Sequence, residues 1–438
     1  MKKEKTKERG SVVSMYQGKK EQAVTLIALV VTLVILIILA AVSINMVLGD
    51  QGIFKKARKG ANSMHDAEVN TQIAFNSITA EVDRVIQGEV TTPEEKSEIE
   101  QAKDSGEVFD TKTPLEDEHG NIIQIPAGFK VASNSGDTVQ QGIVIEDVSA
   151  SGDEKVKGSQ FVWIPVGTFK KDNGDISKEI ILGRYTFENS ELKGKPTLVQ
   201  AAYTDDEPEN YLKYGESEII DSYYIEYPQY REGVASRDSE GLNTTAKDLA
   251  GFVNSVKTNG GYYIARYEAS YASGMSIDDY KVASKVSTKY SEDNMNYEEG
   301  TLWNYINQLD ASKVAINTYS ESDSVISDLI NSYAWDTAIV YIQEAGNEDY
   351  ANKTSVNSEL ADTGKIGDEV CKIHDMASNL WEWTTEYSNE IPDIAANPCT
   401  NRGGCCNYKD TNTAFRDNYY SGDFTKNVTF RIILYINS

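Results

Sequence analysis

The order of apolar and polar residues changes sharply along the chain, and a long apolar segment stands near its beginning. Residues 22–48 contain no charged side chain. A bilayer core about 30 Å thick requires about 20 apolar residues in a helix. We therefore predict a transmembrane helix at residues 23–48. Because lysine and arginine cluster before it, residues 1–22 are predicted to be a cytoplasmic leader, with the C-terminal part of the chain outside the cell.

A second apolar pattern follows this segment. Apolar side chains recur at helical spacing at Phe75, Ile78, Val82 and Val85. This spacing predicts an amphipathic helix within residues 49–88. It would cover the ectodomain, pack against sister subunits or lie on the membrane, and packing on the ectodomain is the interpretation we favour. Residues 89–120 are acidic and contain two prolines, which predicts a linker with at most a short helix.

Residues 121–438 have the mixed pattern of a folded ectodomain. Strand composition predicts β-strands at Ile122–Phe129, Gly142–Val148 and Phe161–Val166. The last of these strands contains Pro165, which has no backbone N–H to donate to a neighbouring strand. We therefore expect this strand at a sheet edge. Residues 167–243 show no regular spacing of apolar residues and are predicted to be loops or an insertion.

Helical spacing dominates the middle of the ectodomain. Residues 249–259 carry an apolar stripe that ends at Asn259–Gly260, and residues 300–319 and 325–344 repeat the period. A strand is predicted at residues 261–268, between the first and the second of these helical segments. Helices alternating with few strands favour an α+β fold over a parallel α/β sheet.

Charge restricts the possible partners. The chain has 438 residues and a net charge of −26. Residues 1–60 hold 11 basic and 4 acidic side chains, so residues 61–438 hold 31 and 64, a net charge of −33. Such an acidic surface repels phosphate backbones, which argues against nucleic acid as a partner. The simplest interpretation of the acidity is that it keeps an extracellular domain soluble.

The most specific motif is Asp375–Trp383, which reads D-M-A-S-N-L-W-E-W. In a strand, Trp381 and Trp383 would both face a core while Glu382 points the other way. The motif resembles the D-M-x-G-N-V-W-E-W signature of the formylglycine-generating-enzyme family, also called the sulfatase-modifying-factor family. Similar family segments occur in the same order at Phe161–Val166, Gly261–Glu268, Tyr333–Asp336, Arg402–Tyr408 and Thr429–Ile436. The resemblance spans Ile122–Ile436 and implies a C-type-lectin-like α+β fold with an antiparallel sheet and flanking helices.

The enzymatic activity of that family is not expected here. The positions of its two catalytic cysteines hold Tyr408 and Thr413. Related iron-dependent sulfoxide synthases need three histidines, whereas this chain has only His65, His119 and His374, far apart in sequence. Without a G-x-S-x-G motif, a P-loop or a spaced Cys/His set, hydrolase, nucleotide-binding and zinc functions also lack support.

A calcium ion is implied by the resemblance, because some family members bind one on the loop that enters the Trp-Glu-Trp strand. By position, the ligands of this structural ion would be the side chains of Asp375 and Glu382 and the carbonyl oxygens of Ser378 and Leu380. The alternative is a pair of carboxylates that are solvated or hydrogen-bonded.

The four cysteines are Cys371, Cys399, Cys405 and Cys406. In an exported domain they suggest disulfides, with three possible pairings. A bond between the adjacent Cys405 and Cys406 is the least favoured because it would be strained. Free, buried thiols are the other possibility.

Residues 23–32, A-V-T-L-I-A-L-V-V-T, resemble the cleavage and methylation segment of type IV prepilins. The resemblance implies processing between Ala23 and Val24, and assembly with sister pilin subunits through residues 24–86. Ala23 and Ala28 stand where that family has Gly and Glu. A plain single-pass membrane anchor is the alternative.

Residues 399–427 combine aromatic side chains with Asn, Asp and Ser, a mixture typical of adaptable binding surfaces. The segment resembles the variable C-terminal region of lectin-fold proteins that are diversified by retroelements. The alternative is that the window only reflects a chain rich in Asn and Tyr. The predicted ligand-binding residues are Asn401, Asn407, Tyr408, Asp410, Asn412, Phe415, Asp417, Asn418, Tyr419, Tyr420, Asp423 and Phe424.

These observations predict a non-catalytic receptor or adhesin at the cell surface, held by a single-pass, pilin-like anchor. Its ligand would be a protein or glycan on another cell or on a phage. A minor type IV pilin-like structural subunit is the second hypothesis. An oxidase of the formylglycine-generating type is the third.

Overall fold

A computed structural model describes residues 96–187, 194–202, 224–225, 249–290, 298–388, 399–419 and 426–437. They belong to one compact unit, Glu95–Ser438. The predicted leader, transmembrane helix, processing site and amphipathic helix lie outside the described residues. Within the described ranges, no helix is both long enough and apolar enough to cross a bilayer.

The described residues form many short strands and a few helices. The strands are β1 (Thr113–Glu116), β2 (Ile122–Ile125), β3 (Phe129–Val131), β4 (Val144–Asp147), β5 (Gln160–Pro165), β6 (Gly183–Phe187), β7 (Pro196–Ala201), β8 (Tyr224–Ile225), β9 (Gly261–Ala265), β10 (Ser270–Ser273), β11 (Lys281–Ala283), β12 (Lys289–Tyr290), β13 (Thr301–Leu302), β14 (Val325–Leu329), β15 (Glu369–Val370), β16 (Ile373–His374), β17 (Trp381–Ser388), β18 (Cys399–Arg402), β19 (Arg416–Tyr419), β20 (Val428–Phe430) and β21 (Ile432–Ile436). The α-helices are α1 (Glu98–Ser105), α2 (Leu249–Asn259), α3 (Gln308–Thr318) and α4 (Ser332–Glu344), and Tyr350–Asn352 form a short 3₁₀ helix.

A six-stranded antiparallel sheet, in the order β14-β21-β9-β5-β4-β3, lies at the centre of the fold. The prediction that Phe161–Val166 is an edge strand is wrong, because β5 pairs with β4 on one side and β9 on the other. Pro165 is tolerated there because it is the last residue of its strand. The missing N–H of Pro165 therefore does not interrupt the hydrogen bonds between the strands of the sheet.

The Trp-Glu-Trp strand belongs to a second sheet, in the order β19-β18-β17-β20, with β8 also paired to β17. β17 runs antiparallel to β18 and parallel to β20. The last predicted strand, Thr429–Ile436, is divided at Arg431. Its first part, β20, pairs with the Trp-Glu-Trp strand, and its second part, β21, pairs with β9 and β14 in the central sheet. Arg431 therefore lies where the two sheets meet.

Two of the three helices predicted within the ectodomain begin later than their apolar spacing suggests. Residues 300–319 contain the short strand β13 before α3, and residues 325–344 contain β14 before α4. Each helix begins after an asparagine cap, Asn307 or Asn331, whose side-chain oxygen accepts a backbone N–H in the first turn. Helical spacing alone missed these boundaries because buried strand residues also supply apolar side chains at those positions.

The helix predicted at residues 249–259 is confirmed as α2, and Gly260 follows it with φ of 75°. Some of the residues predicted to be loops or linker are ordered. The 167–243 segment contains the β6–β7 hairpin. The 89–120 segment contains α1, whose Ile99 and Ala102 are buried in the core. The strands and helices together form an α+β fold with mainly antiparallel pairing.

Candidate functional site

The Trp-Glu-Trp motif is buried on both faces of its strand. Trp381 and Trp383 are both buried, and the Trp383 Nε1 donates a hydrogen bond to the carbonyl oxygen of Ile306 at 2.7 Å. Glu382 is fully buried on the opposite face, where it meets Arg431. The Arg431 Nε lies 2.6 Å from Glu382 Oε2, and the Arg431 Nη2 donates to the other carboxylate oxygen. The motif therefore joins the two sheets through an ion pair as well as through apolar packing.

An aromatic stack extends from this motif to the surface. The rings of Trp381 and Tyr408 are stacked, with centroids 4.4 Å apart and an interplanar angle of 26°. Phe415 also stacks on Trp381, with centroids 6.2 Å apart and an angle of 19°. Trp381 is 2% exposed and Tyr408 is 46% exposed. The buried indole therefore supports an aromatic ring that is accessible to a ligand.

The backbone around Tyr408 is held by a set of short-range hydrogen bonds. The Tyr408 N–H donates to the Cys405 carbonyl at 3.0 Å, and the Thr411 hydroxyl donates to the Tyr408 carbonyl at 2.7 Å. The same hydroxyl accepts from the Cys405 N–H at 3.1 Å. The Asn407 Nδ2 donates to Asn427 Oδ1 at 3.0 Å, which ties this loop to the segment before β20. These contacts position Tyr408 before any ligand binds.

The residues beside Tyr408 are polar and exposed or half-buried. We call this surface the Tyr408 face; it consists of Asn407, Tyr408, Lys409, Asp410 and Asn412. It combines one aromatic ring with amide groups and side chains of both charges. Such a surface can provide apolar contact area together with adaptable hydrogen bonds.

The other predicted binding residues are distributed differently. Asn401 is fully buried in β18, an interior strand between β17 and β19, which corrects the prediction for that residue. Phe415 and Asp417 are half-buried. The backbones of Asn418 and Tyr419 pair with Thr400 and Cys399 in the sheet. Tyr420, Asp423 and Phe424 lie outside the described residues.

A buried ion network that links β6, α4, β17, β18 and β19 was not predicted. Arg402 and Arg416 each place an Nη2 atom 2.6 Å from an oxygen of Asp336. The Arg184 Nη2 lies 2.6 Å from Glu386 Oε1, and the Arg416 Nε lies 3.2 Å from Glu386 Oε2. Arg402 and Asp336 both belong to segments that resemble motifs of the formylglycine-generating-enzyme family. That resemblance was the signal in the sequence that could have marked these two residues. Their pairing could not be seen because the two residues are far apart in sequence.

This network predicts a dependence of stability on acid pH. Burial would raise the pKa of Glu386, but Arg416, Arg184 and Arg402 hold it down to about 2. A carboxyl whose pKa is lowered by folding stabilises the protein above its unfolded value, near 4.5, and this contribution is lost as pH falls towards 2. The full contribution is about 3 kcal/mol, and about 2 kcal/mol of it is expected to be lost between pH 6 and pH 3, which urea unfolding would measure.

The control for this prediction is Glu386→Gln, which cannot titrate. Its free energy of unfolding is expected to be lower than that of the unmodified chain at pH 6, but to change less on acidification. Parallel pH profiles for the two proteins would show that Glu386 is not the group responsible.

The cysteine and catalytic positions can be compared directly. All four cysteines are free thiols, and Cys399, Cys405 and Cys406 are buried. Of the two positions where the formylglycine-generating family has catalytic cysteines, Tyr408 is exposed and Thr413 is buried. The Thr413 hydroxyl is within hydrogen-bonding distance of the Lys353 carbonyl, at 3.2 Å. Neither side chain carries the thiol that such an oxidation needs.

The two carboxylates among the proposed calcium ligands have protein partners, although the buried Asp375 Oδ1 has none. Asp375 Oδ2 accepts hydrogen bonds from the Thr363 hydroxyl at 2.6 Å and the Gly364 N–H at 2.7 Å. Both oxygens of Glu382 accept from Arg431. Within the described part of the chain, no three His, Cys, Asp or Glu side chains are grouped as a metal site. A calcium ion that uses Asp375, Ser378, Leu380 and Glu382 stays a prediction.

Comparison with known proteins gives few matches. No family model matches the chain, and no curated protein matches it. Among solved structures, it is similar to a Major Tropism Determinant M1 Variant, with 10% identity over 75% of this chain and 82% of that chain and a TM-score of 0.26. It is also similar to Treponema denticola variable protein 1, with 12% identity over 64% of this chain and 96% of that chain and a TM-score of 0.24.

Proposed function

We propose that this chain is a non-catalytic binding protein, and that the Tyr408 face contacts its ligand. The observation that carries the proposal is the half-exposed Tyr408 ring, stacked at 4.4 Å on the buried Trp381. An aromatic residue that is fixed before binding loses little conformational entropy when a ligand covers it. Tyrosine is also one of the residues that contribute most to binding energy at interfaces.

The surroundings of Tyr408 support recognition rather than reaction. Asn407, Lys409 and Asp410 are exposed around the ring and can form hydrogen bonds and ion pairs with a partner. The three cysteines that precede Tyr408 most closely in the sequence, Cys399, Cys405 and Cys406, are buried. In this proposal residues 23–48 hold the chain in the cell membrane, with the Tyr408 face outside the cell.

The ligand need not be known in advance to test the proposal. The full chain in detergent would be screened against a glycan array and against random peptides displayed on phage. For any glycan or peptide that binds, Tyr408→Ala is expected to weaken binding by about 30-fold, because it removes a central aromatic contact. Dissociation constants measured by biolayer interferometry give this ratio.

Tyr408→Phe is the matched control, because it keeps the ring stacked on Trp381 and removes only the hydroxyl. It is expected to keep most of the affinity. Circular dichroism and thermal unfolding would establish that both variants are folded. If every bound glycan and peptide were retained equally by Tyr408→Ala, the Tyr408 face would not be the binding site.

A further inference from the structure

A second loop lies beside the Tyr408 face, outside the 399–427 segment. Thr354 and Asn412 form an isolated antiparallel bridge, and the Thr413 N–H donates to the Lys353 carbonyl at 3.0 Å. The backbone after Lys353 therefore runs directly along the edge of the Tyr408 face. We call residues 354–357 the Val356 loop.

The Val356 loop and the Tyr408 loop are attached to the same short segment. The Val356 N–H donates to Ser378 Oγ at 3.1 Å, and the Asn379 N–H donates to Asn357 Oδ1 at 3.1 Å. On the other side, the Cys406 N–H donates to the Asn379 carbonyl at 2.9 Å. Ser378 and Asn379 thus hold both loops at a fixed separation.

Exposure alternates along the Val356 loop. Thr354 and Val356 are exposed, whereas Ser355 and Asn357 are half-buried. Thr354 and Val356 therefore both present their side chains to solvent. The Ser355 hydroxyl donates a hydrogen bond to Asn357 Oδ1 at 2.6 Å, so these two half-buried side chains are bonded to each other.

Val356 is 54% exposed although it is a branched apolar side chain. One exposed apolar residue on a surface is ordinary and requires no explanation. Val356 differs because hydrogen bonds attach its loop to the same Ser378–Asn379 segment as the loop that carries a second exposed apolar group, the Tyr408 ring. An immobilised pair of this kind resembles the apolar centre of a binding surface, with polar residues around it.

We propose that the Val356 loop is the second half of the binding face, and that its partner is a protein segment with an apolar side chain that packs against Val356 and Tyr408. This inference rests on the proposed function. A protein partner is favoured over a glycan because a valine side chain offers no hydrogen bond to sugar hydroxyls. The polar residues around the two apolar groups would then orient the partner's backbone and charged side chains.

The test uses the full chain in detergent and a random peptide library displayed on phage, with peptides that still bind Tyr408→Ala removed. Peptides enriched on the unmodified chain are expected to share an apolar residue. Val356→Asp is expected to weaken their binding by about tenfold or more, because a carboxylate would replace the apolar contact. Val108→Asp is the matched control, since Val108 is also exposed, at 37%, but precedes β1. It is expected to bind as the unmodified chain does.

Each outcome separates this inference from the proposed function. Enriched peptides that bind Val356→Asp as tightly as the unmodified chain would overturn the role of the Val356 loop and leave the Tyr408 face in place. If no enriched peptide depended on Tyr408 while a glycan did, the protein partner would be ruled out. If neither peptide nor glycan depended on Tyr408, the proposed function itself would fail.

Discussion

Replacing Arg431 by methionine is expected to lower the free energy of unfolding by about 3–5 kcal/mol. The Arg431 guanidinium pairs with Glu382 and also donates to the carbonyl oxygens of Ala265 and His374, each at 2.9 Å. All of these groups are buried. Methionine would leave the Glu382 carboxylate without its cation, and an uncompensated buried charge is strongly destabilising. Equilibrium urea unfolding at pH 7 measures the change.

Two controls make the cause of this effect specific. Glu382→Leu combined with Arg431→Met removes both charges, and is expected to recover much of the lost stability because no buried ion is left unpaired. Lys155→Met breaks the exposed Lys155–Glu299 pair, whose side chains are 53% and 55% exposed. That change is expected to cost less than about 1 kcal/mol. An Arg431→Met variant no less stable than Lys155→Met would show that the pair between the sheets contributes little.

Replacing Gly404 by alanine is expected to lower the free energy of unfolding by about 3 kcal/mol, near the upper end for overpacked sites. A Cβ atom at this position would lie 1.9 Å from the carbonyl oxygen of Ala377. Because the obstructing atom belongs to the backbone, it cannot turn away as a side chain could. The Arg402–Tyr408 segment would have to move away from the Trp-Glu-Trp motif. Thermal and urea unfolding would report the loss of stability.

Gly260→Ala is the control for this prediction. Gly260 has a positive φ of 75°, but a Cβ atom there would meet no atom within 4 Å. Alanine is therefore expected to lower the free energy of unfolding only by the strain of the left-handed backbone conformation, about 1–2 kcal/mol. If the two glycine variants unfolded at the same denaturant concentration, the close approach at Gly404 would not matter for stability. Weaker ligand binding by Gly404→Ala at low temperature, where it remains folded, would link this contact to the Tyr408 face.

Several local features could be predicted because neighbouring residues decide them. The α2 helix follows from its apolar stripe and the Asn259–Gly260 stop, and both were visible in the sequence. The strand character of the Trp-Glu-Trp motif follows from its alternation. Its similarity to a known signature also indicated that the motif and the last apolar segment share a scaffold, and β17 does pair with β20.

Other features depend on which surfaces meet. Alternation indicates that Glu382 faces away from the two indoles, but it cannot show that this second face is also buried. That burial exists because β20 and β21 place Arg431 between the sheets. Pro165 was assigned to an edge for a similar reason, since the pairing of β5 on both sides is decided by distant strands.

The candidate site illustrates the same division. Composition identified 399–427 as a segment rich in residues that bind ligands, but it could not separate the buried Asn401 from the exposed Tyr408. It also gave no reason to consider Val356, which lies more than 40 positions earlier in the chain. The two loops meet because the Ser378–Asn379 segment forms hydrogen bonds with both of them.

The sequence by itself determined the alternation of apolar and polar residues, the strongest helix, the acidic charge and the segment richest in binding residues. These properties depend on residues within a few positions of one another. Only the tertiary structure decided which strands are interior, which charges are paired and which aromatic ring is exposed. Those outcomes depend on contacts between residues tens of positions or more apart, and burial is a property of the assembled surfaces rather than of any one segment.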